Sequence, residues 1–178
     1  MRQIAKVNEA AFRVLADRHL GRMLRLAEKT LGSAAEADDV TQEALLRIWT
    51  HAGSWQSDRS RLTTWIYTIV YRLCIDRLRA PRTAPLDLAM DIPDPAAGAP
   101  ETLSRSEDLT RLTAAMQALP PRQRAALTLF YYEEISGEEA ASVLGVSRRA
   151  FWSLLHRSRQ AVQSLMDDLN TLAKAPPQ

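Results

Sequence analysis

Apolar residues recur at intervals of three and four along most of the 178 residues, and the strict alternation typical of strands is absent. This spacing places apolar side chains on one face of a helix, so it predicts an all-α chain. Glycine, which weakens helices, occurs only six times. The pattern therefore favours helical bundles over any sheet architecture.

One stretch, from Ala80 to Pro100, breaks the pattern and contains five prolines. Proline removes a backbone donor and disfavours helix in the residue before it, so we expect a flexible linker there. The chain is thus predicted to form two small helical domains over 1–82 and 103–172, a Pro- and Asp-rich linker over 83–102, and a tail over 173–178.

Several helix starts are marked by local signals. Two serines are each followed three residues later by glutamate, which is the capping-box spacing. Proline at a first helical turn loses no backbone bond, and serine before a helix accepts from its free amides. These positions are Ser33 with Glu36, Ser136 with Glu139, Pro121 and Ser147.

The C-terminal domain has the spacing of a DNA-binding helix-turn-helix. Helices are predicted from about Pro121 to Glu133 and from about Gly137 to Leu144, and Gly145-Val146-Ser147 forms a tight turn before a third helix. The third helix has an apolar stripe at 151, 155, 158 and 162 and a polar stripe at 149, 153, 156 and 160.

Two arginines, Arg148 and Arg149, occupy the first turn of this third helix. The helix dipole disfavours cations there by roughly 0.3–1 kcal/mol each, so their presence indicates a role. A phosphate or a guanine edge would supply one. The alternative is a helix surface that is merely basic and solvated.

The N-terminal domain combines arginines with tryptophans and tyrosines between Arg47 and Arg82, a composition suited to stacking and holding single-stranded nucleic acid. One apolar stripe there is predicted to face the core, so Trp65 is assigned to packing. The residues Thr64, Thr68, Tyr71 and Arg72 lie away from that stripe and are better contact candidates. A polar loop over 53–61 precedes this helix.

The helix predicted over 36–50 turns small and branched apolar residues inward and leaves an acidic face outside, with Leu46 exposed on it. This face suits protein docking, although the pattern alone is equally consistent with a solvated surface. The inward residues are Ala37, Val40, Ala44 and Ile48.

Charge and composition narrow the function classes. The net charge is only +2, but basic blocks over 47–82 and 145–161 flank an acidic spacer, which indicates two surfaces for anionic ligands. The single cysteine, Cys74, excludes a disulfide or a cysteine metal site within one chain. We expect no cofactor, no enzymatic activity, no membrane insertion and a cytoplasmic location, since no nucleophile with a base, phosphate loop, apolar span or signal peptide is present.

Several motifs together resemble the sigma-70 family of bacterial RNA polymerase. They occur in the family's order across nearly the whole chain, and the short length resembles the extracytoplasmic-function (ECF) group. The motifs are Asp38-Asp39-Val40-Thr41-Gln42-Glu43 with Leu46-Arg47-Ile48-Trp49, Thr64-Trp65-Ile66-Tyr67-Thr68-Ile69 with Ile75-Asp76-Arg77-Leu78-Arg79, Leu119-Pro120-Pro121-Arg122-Gln123-Arg124, Glu138-Glu139-Ala140-Ala141, Leu144-Gly145-Val146-Ser147 and Leu155-His156-Arg157.

The resemblance implies that the first domain is sigma region 2, that the second is sigma region 4, and that the partners are core RNA polymerase (β′ clamp and β flap), promoter DNA and an anti-sigma protein. Polymerase contacts would fall on Asp39, Gln42, Glu43, Leu46, Arg47 and Trp49. Contacts to the −10 element would fall on Trp55, Ser57, Asp58, Arg59, Ser60, Arg61, Thr64, Tyr67, Thr68, Tyr71 and Arg72. Contacts to the −35 element would fall on Ser147, Arg148, Arg149, Trp152, Ser153, His156 and Arg157.

Some positions depart from the resemblance. The family often carries a small residue, Lys and Arg where this chain has Arg149, Trp152 and Leu154, so the −35 sequence cannot be transferred from relatives. Two other hypotheses remain at this point. One is a two-domain repressor or activator with the same helix-turn-helix, and the other is an RNA-binding module or anti-terminator that uses the aromatic and basic segment.

Overall fold

The computed structural model describes residues 8–56, 58, 60–80 and 100–174, and it describes side chains of the last range over 108–169. These residues are helical apart from short turns, as predicted. The helices are α1 (Glu9–Leu31), α2 (Ala34–His51), α3 (Leu62–Arg79), α4 (Pro100–Ala118), α5 (Pro121–Leu127), α6 (Gly137–Leu144) and α7 (Arg148–Lys174), with a short 3-10 turn at Ala52–Ser54 and a π-helical turn at Thr128–Tyr132.

The first domain is a three-helix bundle of α1, α2 and α3. Gly32 ends α1 in the left-handed conformation at φ 79°, and the Ser33 hydroxyl accepts from the Glu36 amide at 3.3 Å to start α2. The four α2 residues predicted to face inward are all buried, and the acidic face is exposed. Cys74 is buried too, and that burial raises the pKa of its thiol to about 12.

The second domain consists of α4 to α7 around Phe151, Leu155 and Leu129, which are fully or nearly fully buried. Pro121 begins α5, Ser136 and Glu139 form the complete capping box of α6, and the Ser147 hydroxyl accepts from an amide of α7. The local signals in the sequence therefore located these helix starts correctly.

The helix predicted from Pro121 to Glu133 changes type within its length. At Thr128–Tyr132 the backbone widens into one π-helical turn, and the Glu133 amide donates to the Thr128 carbonyl at 3.0 Å. Glu134 follows in the left-handed region at φ 51°. No feature of the sequence predicted this turn.

The two predicted domains pack directly against each other. Helix α1 contacts α5 and the π-helical turn, and α3 contacts α6. The buried apolar residues of both domains form one continuous cluster. The sequence predicted two modules but did not predict that their surfaces meet.

The ends of the predicted domains are only partly described. Residues 83–99 of the predicted linker and residues 175–178 of the tail lie outside the described residues. Helix α4 begins at Pro100, where proline is favourable as a first helical residue, so the last three residues assigned to the linker are helical. Among the helices that are described, none is long and apolar enough to cross a membrane.

Candidate polymerase and nucleic-acid interfaces

The outward face of α2 carries the residues predicted to contact polymerase. Asp39, Gln42, Glu43 and Arg47 are exposed, and the Leu46 side chain among them is 61% exposed. This exposure leaves the Leu46 side chain accessible to a partner protein.

Internal ion pairs order this face. Arg47 pairs with Glu43 one turn away at 2.6 Å, and Arg77 of α3 reaches Asp39 at 2.5 Å. Trp49 is half-buried and packs edge-to-face against Phe12 with ring centroids 4.9 Å apart. It contributes to the core of the first domain as well as to the edge of this face.

Helix α7, the third helix of the predicted helix-turn-helix, shows the two stripes that the sequence predicted. Phe151, Leu155 and Ser158 are buried, and Val162 is partly buried beyond them. The opposite side is exposed along the first three turns and carries the residues Ser147, Arg148, Arg149, Trp152, Ser153, His156 and Arg157. The helix-turn-helix therefore presents a basic, accessible face from its first turn onward.

Trp152 is 42% exposed and rests on an aromatic cluster. Its ring lies edge-on to Phe130 at 5.4 Å and to Phe151 at 5.6 Å between centroids. Gly137 leaves room for it, since a Cβ at that position would lie 2.6 Å from the Trp152 ring. Trp152 thus joins α7 to the start of α6, and it extends an apolar patch beside the basic face.

The loop before α3 is mostly exposed. The Arg61 side chain is 80% exposed and Asp58 is exposed, whereas Trp55 and Ser60 are half-buried. Ser57 and Arg59, which were also predicted to contact the −10 element, lie outside the described residues.

The residues of α3 predicted to contact DNA divide into two groups. Arg72 is exposed and Thr68 half-buried, but Thr64, Tyr67 and Tyr71 are 3%, 0% and 7% exposed. Thr64 and Tyr67 donate to Glu139 and Glu133 of the second domain, and Tyr71 lies near Arg122 of that domain. Their burial was not predicted, because it arises from a contact between distant parts of the chain.

Glu133 of the second domain contacts three side chains of the first domain. Its fully buried carboxylate accepts a hydrogen bond from the Tyr67 hydroxyl at 2.6 Å and one from the Arg25 guanidinium at 2.9 Å, and Arg22 lies at 3.7 Å. Burial and the bond to Glu133 raise the pKa of the Tyr67 phenol well above its usual value.

Two further residues of the second domain, Glu139 and Arg124, also bind the first domain. The Glu139 carboxylate accepts from Thr64 at 3.2 Å and lies 3.4 Å from Arg61. Burial alone would raise the pKa of Glu139, but hydrogen bonds from Ser136 and the charge of Arg61 bring it below its usual value.

The buried guanidinium of Arg124 donates to the carbonyls of Gln117, Leu119 and Thr30, at 2.6, 3.1 and 2.8 Å. Thr30 belongs to α1, so this guanidinium joins the domains at the end of that helix. Its burial lowers the pKa of the Arg124 guanidinium. Arg124 lies in a motif that the sequence singled out, but nothing in the pattern distinguished it from Arg122, which is exposed.

A cleft of about 620 Å³ remains between the domains. Arg22 and Arg61 line one side, and Glu133, Glu134 and Glu139 line the other. Complementary charges therefore face each other across the junction.

Two family models match the chain: Sigma-70 region 2 over residues 15–83, and Sigma-70, region 4 over residues 109–162. The ECF RNA polymerase sigma factor SigM of Mycobacterium tuberculosis is 32% identical over 164 residues, which cover 90% of this chain and 80% of SigM. The chain belongs to the ECF RNA polymerase sigma factors. A second ECF relative, SigW of Bacillus subtilis, is 25% identical over 180 residues, covering 95% of this chain and 96% of SigW.

Solved structures have the same fold. The sigma factor RpoE from Bartonella quintana, in complex with the anti-sigma factor NepR, matches with a TM-score of 0.71 at 21% identity, over 88% of this chain and 97% of that one. CnrH, in complex with the cytosolic domain of CnrY, matches with a TM-score of 0.67 at 26% identity over 94% of both chains.

These comparisons confirm the family that the motifs predicted. An ECF sigma factor is a transcription initiation factor, which decides against the repressor and RNA-binding hypotheses. The chain is therefore an all-α sigma factor with a region 2 domain and a region 4 domain.

Proposed function

We propose that this ECF sigma factor divides promoter recognition between its domains, with residues 1–82 binding polymerase and the −10 element and residues 103–172 binding the −35 element. Residues 83–102 would join them, and residues 173–178 would form a tail. The observation that carries the proposal is the presence of both sigma-70 regions, in order, in one chain.

The exposed face of α2 is the proposed polymerase surface. Its exposed Leu46 would anchor the contact with the β′ clamp, because burying a leucine side chain contributes about 1.5–3 kcal/mol. The surrounding charges of Asp39, Gln42, Glu43 and Arg47 would fix the orientation. Region 4 would contact the β flap.

The loop over 55–61 and helix α3 are the proposed −10 surface. A base captured from the duplex must leave its stack, at a cost of a few kcal/mol. Aromatic and cationic side chains offset this cost by stacking on bases and holding phosphates. Melting would thus be driven by binding energy, with no cofactor and no covalent chemistry performed by this chain.

The exposed first turns of α7 are the proposed −35 surface. Arg148 and Arg149 occupy positions that the helix dipole disfavours, and a DNA phosphate or guanine edge would compensate for this. Ser153, His156 and Arg157 continue the same face along the groove.

An anti-sigma protein is the proposed regulator, since the solved relative RpoE is bound to one. The proposed location is the cytoplasm, where promoter DNA and polymerase are found. Tagged chain purified from uninduced cells should carry a bound protein that blocks transcription by the chain. Recovery of the chain with no such inhibitor would contradict this part of the proposal.

Transcription of genomic DNA from the encoding organism, with core polymerase alone and with the chain added, tests the central claim. We expect RNA 5′ ends that require the chain and that share two sequence elements at fixed spacing upstream. If no chain-dependent 5′ ends appear, the proposed function is wrong.

A pair of variants tests the polymerase surface. Leu46→Glu should weaken binding to core polymerase strongly, because it places a charge where an apolar contact is proposed. Leu20→Glu on α1 is the matched control, since Leu20 is 43% exposed and lies outside both proposed polymerase surfaces. Equal polymerase affinity of the two variants would remove Leu46 from the interface.

A further inference from the structure

We propose that Glu133 is a latch that holds the free chain closed, with region 4 covering the −10 surface of region 2, and that this latch must open before promoter DNA can bind. The inference rests on the proposed function of α3, because it concerns access to that surface.

The surroundings of Glu133 make it a specific connection between domains. Its carboxylate comes from region 4, and all three side chains that approach it, Tyr67, Arg25 and Arg22, come from region 2. A buried carboxylate requires a partner, since an uncompensated buried charge is strongly unfavourable. When the domains separate, this group loses every partner described for it and must be hydrated instead.

The closed arrangement hides the residues that DNA would need. Tyr67 is completely buried under Glu133, and Thr64 and Tyr71 are almost completely buried. Thr64 donates to the Glu139 carboxylate, and Arg61 lies 3.4 Å from it. Both residues belong to the proposed −10 surface. Two glutamates of region 4 thus engage groups that would otherwise contact an anionic strand.

The population of the open state then sets the affinity of the chain for DNA. A binding surface available only in a minor state has its apparent affinity reduced by the fraction of that state. Minor states of this kind are typically populated at about 10% or less, so releasing the latch should raise affinity about tenfold or more. Binding of region 2 to the β′ clamp and of region 4 to the β flap would hold the two domains apart and remove this penalty.

Distance measurements between spin labels test the latch directly. Labels are placed at Val14→Cys on α1 and Ser164→Cys on α7, both exposed, in a full-length Cys74→Ala chain without DNA or polymerase. Glu133→Gln keeps the size of the side chain but removes its charge. Glu138→Gln, an exposed neighbour with the same charge change, is the matched control.

We expect one dominant distance in the parent and in Glu138→Gln, and a broad distribution shifted to longer distances in Glu133→Gln. A broad distribution in the parent, or the same narrow distribution in all three chains, would overturn the latch. These outcomes are independent of promoter function, which is tested separately by the chain-dependent RNA 5′ ends.

A binding measurement links opening to DNA access. With single-stranded DNA of randomised sequence as the probe, Glu133→Gln should bind about tenfold or more tightly than the parent and the control. Equal affinities would show that the contact does not restrict the surface, which would contradict the proposal.

If Glu133→Gln fails to fold, as judged by circular dichroism, Arg25→Gln provides a second route. Arg25 is half-exposed and donates to Glu133 from the other domain, so its loss weakens the latch without altering region 4. The label distances should again broaden, and an unchanged narrow distribution would count against the latch.

Discussion

At the scale of single residues, Glu139 serves two structural purposes with one carboxylate. It completes the capping box of α6 with Ser136 and also accepts from Thr64 in the other domain. Its pKa is held below the usual 4.5, so it contributes stability above that value, and the contribution is lost as the pH falls through the folded-state pKa.

We therefore predict that the unfolding free energy of Glu139→Gln changes less between neutral and acidic pH than that of the parent chain. At about pH 7 the variant should lose about 0.3–1 kcal/mol of unfolding free energy, because the neutral amide loses the attraction of the carboxylate to Arg61 and to the N-terminus of α6. Below the usual pKa of a glutamate the difference from the parent should shrink. Urea denaturation at a series of pH values measures this, with exposed Glu138→Gln as control. A constant difference at every pH would contradict the assignment.

The sequence predicted those side-chain contacts whose partners lie close along the chain. Ser33, Ser136 and Ser147 were identified as caps because their partners lie three residues away, and all three accept the expected amide. Glu133 was not identified, because its partners Tyr67 and Arg25 lie 66 and 108 residues away. A pattern along the chain contains no information about such a pairing.

At the scale of elements, the junction of α6 and α7 depends on the absence of a side chain. Trp152 fills the space above Gly137, where a Cβ would approach its ring to 2.6 Å. The backbone there needs no glycine conformation, because Gly137 is not among the positive-φ residues. Glycine is therefore required at this position for space alone.

We predict that Gly137→Ala destabilises the chain by about 1–3 kcal/mol through overpacking against Trp152. In a Trp152→Ala background the same change should become neutral or stabilising, by up to about 1 kcal/mol, because alanine is the better helix former. A double-mutant cycle from chemical denaturation measures both. The same destabilisation in both backgrounds would contradict the steric explanation.

The proposed −35 surface of α7 provides a second prediction at this scale. Arg149→Ala should weaken binding of the polymerase complex to −35 DNA by about 1–3 kcal/mol if the guanidinium reads a base. Fluorescence anisotropy with a duplex from a chain-dependent promoter measures this. Arg159→Ala, farther along α7, is the control. Unchanged affinity for Arg149→Ala would remove that residue from base recognition.

Most elements could be predicted because their periodicity is strong. The two stripes of α7 and the inward face of α2 follow from helical spacing, and burial agrees with both. The π-helical turn could not be predicted, because the sequence Thr128–Tyr132 is compatible with an ordinary α-turn.

At the scale of the whole molecule, the continuous apolar cluster joins two domains that the sequence presented as separate. The proline-rich segment lies between the two family regions, the first of which ends at residue 83 and the second of which begins at residue 109. It could not indicate that their surfaces fit, because surface complementarity depends on pairs of residues from distant segments. Tyr67, Thr64 and Tyr71 were accordingly predicted as accessible and are buried in the closed chain.

We predict that the free chain unfolds in a single transition. A core that continues across both domains couples their stabilities, so the calorimetric enthalpy should equal the van't Hoff enthalpy. Scanning calorimetry of the full chain without ligand measures this ratio. Two resolved peaks would indicate domains that unfold independently and would contradict the coupling.

The π-helical turn at Thr128–Tyr132 immediately precedes Glu133, so the number of residues in this turn determines the direction of the Glu133 side chain. A π-turn contains more residues than the α-turn that would replace it, and each residue of a regular helix advances the following ones by about 100°. Deleting one residue from this turn would swing the carboxylate away from Tyr67 without altering any group that it touches. Deletion of a single residue, with no change in any contacting side chain, would thus convert the proposed closed form of this ECF sigma factor into an open one.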